Sequence, residues 1–217
     1  MSRRRRGFLA AFIWGYALGL ASMVVMLWIA GMLHPASVSA HHPIDSGQLR
    51  SPQHDTSPTP DEEQLVLRSL TFPIAGLKLQ DLQNSFNDAR GETHRHGATD
   101  ILAPRGSPVM AVDDGTIRKL FTSRQGGLTV YQFDPEEIYC YYYAHLDHYA
   151  EGLEEGMPVR RGQVIGYVGT TGNAPANTPH LHLAVFKLGP EKRWWEGKPI
   201  NPYPALIDAL KTRGVKP

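Results

Sequence analysis

Near its C-terminus the chain reads TPHLHLAVFK (Thr178–Lys187), an apolar run that carries two histidines one leucine apart. Read as a β-strand, its side chains alternate between two faces. His180, His182, Ala184 and Phe186 share one face, and Leu181, Leu183 and Val185 line the other. The leucine face anchors the strand in a core. Two neighbouring imidazoles on the opposite face serve as a metal site, as a proton-transfer site, or as polar groups turned to water. This stretch alone leaves the three readings open.

The segments before it have the same character. SPVMAV (107–112) precedes Asp113-Asp114-Gly115, a hairpin-type turn, and then TIRKLF (116–121). GLTVYQF (127–133) and IYCYYYAHL (138–146) read as a second hairpin around Asp134-Pro135, and QVIGYVG (163–169) as a further strand. Glycine and proline punctuate most junctions, and no helical pattern appears until PALIDALKTR (204–213). The expected fold is mainly β, an antiparallel sheet sandwich or groove domain over residues 66–217. With 217 residues, 41% of them apolar, the chain has material for one good core. Cys140 is the single cysteine, so no intrachain disulfide forms, and its place in an aromatic strand marks it as a packing residue.

The N-terminal third is organised differently. Formal net charge is +1, but Arg3 to Arg6 hold four of the 22 basic residues, which leaves 18 against 21 acids elsewhere. The basic block is local, and the whole gives no case for nucleic acid. It precedes Gly7–Leu33, an uncharged stretch that as a helix would span about 40 Å, enough to cross a ~30 Å hydrocarbon layer. Preceding arginines favour a cytoplasmic N-terminus of residues 1–6, with everything downstream on the far side. The run exceeds the roughly 7–15 residues of a signal-peptide core, which favours an uncleaved anchor over cleavage after Ala40. Residues 34–65, rich in Pro, Ser and His, read as a flexible spacer that includes His41, His42 and His54. The expected location is a cell inner membrane, crossed once, with the folded domain in the periplasm.

Upstream of the histidine strand, RHGATDILAPRG places His96 four residues before Asp100. In an extended chain these two share a face. Imidazole and carboxylate both suit Zn²⁺, and a catalytic zinc site uses three protein ligands with a fourth position open. His96, Asp100 and one histidine of the later pair would supply that set. YYYAHLDHY adds His145 at a strand end, with Tyr139, Tyr141 and Tyr143 on its own face. Those tyrosines line a substrate groove or simply pack the sheet. His94 and His148 fall at no ligand position and read as surface or supporting groups.

Taken together, H-x-x-x-D, YAHL and H-x-H resemble the lysostaphin-type zinc endopeptidases, which cut the peptides of bacterial cell walls. The likeness runs from about Pro73 to Tyr203 through SFNDAR, DILAPRGSPVMAVDDGTI, EGMPVRRGQVIGYVGTTG, PHLHLAVF and INPYPAL, in the family's order. Gly97 directly after His96 departs from many members and leaves the ligand spacing intact. The membrane anchor is a feature of many, not all, relatives.

This resemblance implies that His96, Asp100 and His182 bind one Zn²⁺, and that His145 and His180 handle the attacking water and the transition-state charge. It implies a zinc metalloendopeptidase acting on peptidoglycan stem or cross-link peptides. The rival within the same fold is a non-catalytic or weakly catalytic regulator that activates another murein hydrolase; such relatives usually lack zinc ligands, and here all are present. A zinc-stabilised wall-binding domain is disfavoured, because structural zinc is normally closed by four protein ligands. No glutamate stands in an H-E-x-x-H pattern, so a thermolysin-like arrangement is excluded.

Overall fold

A computed structural model describes residues 57–90 and 94–213. The basic N-terminus, the apolar run 7–33 and the spacer histidines lie outside them. Among the described residues no helix is long and apolar enough to cross a membrane.

In chain order the elements are α1 (Pro60–Leu67), β1 (Ala89–Arg90), β2 (His94–Arg95), β3 (Thr99–Leu102), β4 (Pro108–Met110), β5 (Gly115–Ser123) and β6 (Gly127–Phe133). There follow β7 (Tyr139–Tyr149), β8 (Pro158–Val159), β9 (Val164–Val168), β10 (His180–Lys187), β11 (Lys198–Ile200) and α2 (Tyr203–Arg213). β3 to β11 form one antiparallel sheet, and β1 and β2 a small ribbon beside it. The histidine strand is β10. Its N-terminal half pairs with β3, which brings His182 opposite Asp100, and its other edge pairs with β7, which brings His182 opposite Ala144. The strand therefore lies between the two segments that hold the remaining candidate residues.

Alternation along β10 is as the sequence implies. Leu181, Leu183 and Val185 are fully buried, in one core with Ile101, Val130, Tyr141, Tyr143 and Leu206 of α2. The hairpin around Asp134-Pro135 is present: Phe133 pairs with Cys140, and the Asp134 amide donates to the Tyr139 carbonyl at 3.2 Å. Cys140 is buried with Phe133 and Leu188, and that burial pushes its thiol pKa far up, as befits a packing residue.

Two expectations fail. SPVMAV and TIRKLF do not pair with each other; β4 pairs with β9, and β5 with β6 and β8. The Asp113-Asp114 turn is held by side chains instead. Asp113 accepts from Arg68 (2.8 Å), Arg161 (2.5 Å) and Tyr141 (2.9 Å), its carbonyl accepts from Gln132, and Asp114 accepts from the Arg161 amide. These bonds lead the two strands to different neighbours. The end of the presumed spacer also differs, because α1 starts at Pro60. Thr59 and Glu62 close a reciprocal capping box, Pro60 fits the first turn, and Leu65 enters the core. Asp61 pairs with Lys187 at 2.7 Å and Lys198 at 2.8 Å, which ties α1 to β10 and β11.

Candidate active site

His96, Asp100 and His182 converge. His96 Nε2, Asp100 Oδ1 and His182 Nδ1 stand 3.0 Å apart in every pairing. His96 and Asp100 do not reach this point along one extended strand, as the i, i+4 argument supposed. The chain turns between β2 and β3 at Gly97, whose φ of +68° is left-handed and suits glycine. The His96 amide donates to Asp88 and that of Gly97 to Phe86, which fixes the turn.

The protons at this point can be counted. His96 Nδ1 lies 3.0 Å from the Ser85 carbonyl, which only accepts, so it donates there and leaves a lone pair on Nε2. That lone pair faces a carboxylate oxygen and another imidazole nitrogen, so acceptors outnumber the protons available between them. A cation removes the conflict, and tetrahedral N/O coordination at about 2.0–2.2 Å spaces ligand atoms ~3.3 Å apart, near the separation found. The three side chains fit a divalent metal ion. Burial lowers the His182 pKa and keeps that imidazole neutral, as a ligand must be. Burial alone would raise the Asp100 pKa, but hydrogen bonding with His182 and His96 outweighs it and holds the carboxyl well below its usual range. Arg90 pairs with the other carboxylate oxygen at 2.8 Å and leaves Oδ1 for the triad.

His180 and His145 complete the wall. His180 Nδ1 donates to the Thr178 carbonyl at 2.8 Å, and His145 Nδ1 to that of Thr171 at 2.8 Å. Each imidazole therefore has a fixed tautomer with a bare Nε2. The His180 Nε2 lies 3.9 Å from Asp100 Oδ1, set back from the triad, and the two rings are 4.9 Å apart. They are only 7% and 6% exposed, and burial lowers the His145 pKa to about 4.

Parity along β7 would put His145 on the core face with the odd-numbered tyrosines. Between the pairs Val130–Tyr143 and Leu128–Leu146, β7 runs three residues against two in β6, which is a β-bulge. His145 sits in it at φ +61°, its amide donating to the Gly126 carbonyl, and so turns to the site. Tyr139, Tyr141 and Tyr143 do not line the groove. They are buried, with the Tyr141 and Tyr143 hydroxyls bonded to Asp113 and Gln132. The tyrosine of the groove is Tyr142, from the opposite parity, edge-on to His182 at 6.0 Å. His148 is exposed, bonded to Asp147 and stacked on Tyr167, while His94 stands at the groove rim. The groove has a volume of 710 Å³. Sequence reasoning missed Arg90 and the three carbonyl acceptors; main-chain acceptors leave no mark in a sequence, but Arg90 lies within the SFNDAR segment.

Residues 94–202, a span that contains all five of these residues, match peptidase family M23. The chain belongs to that family. Among its M23 relatives, the L-Ala--D-Glu endopeptidase of Bacillus subtilis (strain 168) is 34% identical over 142 residues, 62% of this chain and 42% of that protein. The peptidoglycan DD-endopeptidase ShyC of Vibrio cholerae serotype O1 is 32% identical over 126 residues, 56% of this chain and 28% of its own. The chain thus spans less than half the length of either. Among solved structures, one from Ruminococcus gnavus ATCC 29149, bearing the name glycyl-glycine endopeptidase lytM, superposes with a TM-score of 0.54. It is 32% identical and covers 65% of this chain and 60% of that one. The mainly β, antiparallel architecture is that of the M23 fold.

Proposed function

We propose that this chain is a zinc-dependent endopeptidase that hydrolyses peptide bonds in the stem or cross-link peptides of peptidoglycan. The observation that carries the reading is the convergence of His96, Asp100 and His182 beside two further imidazoles whose Nε2 atoms are bare. His96, Asp100 and His182 would hold the ion. Zn²⁺ bound there supplies a Lewis acid that acidifies water and polarises a carbonyl. The chain's own part is proton handling. With Nδ1 committed to a carbonyl, His180 Nε2 accepts a proton from the attacking water and returns it to the leaving amine. His145, neutral and bare at Nε2, accepts a hydrogen bond from the attacking water and so orients its lone pair towards the carbonyl, without itself taking the proton. The relatives' names and the groove in which the five residues lie support peptide hydrolysis at the cell wall. Residues 7–33 would anchor the enzyme in the inner membrane, with the catalytic domain in the periplasm.

The test combines metal analysis and product analysis on the full-length protein. About one zinc per chain is expected, with release of muropeptides from purified peptidoglycan that stops with a chelator and returns with zinc. An unchanged muropeptide profile by mass spectrometry would hand the chain to the regulator reading.

A further inference from the structure

A second concave surface begins where the groove ends. Tyr142 is edge-on to His182 on one side, and on the other it meets Tyr131 at 4.6 Å and Phe186 at 6.4 Å. Tyr131 leads to Trp194 at 4.7 Å, and Trp194 to Trp195 at 5.2 Å. With Glu196, these rings enclose a depression of 110 Å³. Trp194 is held from below, packed on the buried cluster of Phe133, Cys140 and Leu188. Trp195 has no such support and is 63% exposed. Core packing accounts for Trp194 and not for Trp195, whose ring stands nearly perpendicular to its neighbour, at 81°.

We infer that this aromatic row is a saccharide subsite, which seats a pyranose ring of the glycan strand that carries the peptide being cut. The inference rests on the endopeptidase reading for its substrate. A pyranose presents a face of C–H bonds whose hydrogens are weakly positive, and an aromatic ring presents a negative π face. Its hydroxyls need acceptors and donors at the rim. Glu196 and Arg193, paired at 3.2 Å and both solvent-exposed, offer one of each. The row is continuous with the groove through Tyr142, and its reach matches the substrate. Steps of 6.0, 4.6 and 4.7 Å lead from His182 through Tyr142 and Tyr131 to Trp194, and a further 5.2 Å to Trp195. A four-residue stem at ~3.5 Å per residue spans about 14 Å. A peptide whose scissile bond lies at the triad thus brings the end of its stem to Trp194, and the sugar attached beyond that end lies over Trp195.

The experiment uses the zinc-loaded full-length protein and two substrates, cross-linked muropeptide dimers that keep their sugars and the same dimers stripped of them by an amidase. The sugar-bearing dimer should have the higher kcat/KM. Trp195→Ala should lower that value roughly tenfold, mainly through KM, so that the ratio between substrates collapses, while Trp195→Phe should retain most of it. Peptide-free glycan strands should quench tryptophan emission in the parent and not in Trp195→Ala. An unaltered ratio without quenching overturns the subsite. So does a ratio that stays put while Trp195→Ala abolishes an emission shift on phosphatidylglycerol vesicles, which assigns the row to a membrane surface, or lowers the mass of the particle, which assigns it to self-association. If the parent cuts neither dimer yet binds glycan strands through Trp195, the endopeptidase reading fails and the subsite stands.

Discussion

His180 and His182 are chemically identical, two residues apart, and on one face of one strand. Their neighbours separate them. His182 turns Nδ1 into the triad, whereas His180 spends Nδ1 on the Thr178 carbonyl and keeps Nε2 free. His182→Ala should therefore lose both zinc and activity. His180→Ala should keep zinc and fold yet lose catalysis by about 10²–10⁴-fold, and His145→Ala should follow it. Zinc content and muropeptide release, measured side by side on the three variants, check this; metal lost from His180→Ala and kept by His182→Ala would reverse the assignment. Strand parity sufficed to place the H-x-H pair and its leucine backing, because a side-chain period of two is a local property. It misplaced His145, because a bulge depends on what the partner strand does, and no residue in YYYAHL announces it. For the odd-numbered tyrosines the sequence left groove and packing open, and packing is the outcome: all three are buried, and the Tyr141 and Tyr143 hydroxyls find partners in Asp113 and Gln132.

Among elements, the critical junction is the one behind His145. Gly127, at φ +64°, begins β6 against the segment that holds Thr171, and a β-carbon there would lie 2.1 Å from the Thr171 hydroxyl oxygen and 2.4 Å from its carbonyl carbon. The Thr171 carbonyl is the acceptor that fixes the His145 tautomer. Gly127→Ala should thus shift that acceptor as well as strain the backbone, at a cost on the order of 1–3 kcal/mol. Expected are a lower urea midpoint, retained zinc and a reduced kcat. A kcat equal to the parent's would show that His145 tolerates the displacement. At this scale β4 to β7, β9, β10 and α2 were readable from alternation and glycine punctuation, whereas β1, β2, β8 and β11, two or three residues each, are too short to show a period. The route of SPVMAV was not, since Asp113-Asp114-Gly115 satisfies local turn chemistry while its carboxylates answer to arginines 45 and 48 residues away. The capping box of α1 was visible in principle as Thr59 and Glu62, but proline-rich surroundings and a weak apolar stripe masked it.

For the whole molecule, the Asp113 cluster sets the acid limit. Burial alone would raise the Asp113 pKa; hydrogen bonds from Arg161, Arg68 and Tyr141 outweigh that and hold it below its ordinary value. A carboxyl depressed in the folded state contributes stability that is complete above its unfolded pKa of about 3.9 and is lost as pH falls from there through the folded value. Urea unfolding should therefore show falling stability below about pH 4. In Asp113→Asn the protein should be less stable at neutral pH, with a shallower decline on acidification. An equally steep decline would move the acid sensitivity to other carboxyls. The same long-range pairing has a temporal consequence. His96 and His182 are 86 positions apart, and β10 meets β3 and β7 only after most of the chain is available. Closing a loop of that length is entropically slow and yields nothing until both ends arrive. No nascent fragment ending before β10 carries the complete triad, so uptake of a metal ion there would mark the completion of folding, and a half-made chain would be inert.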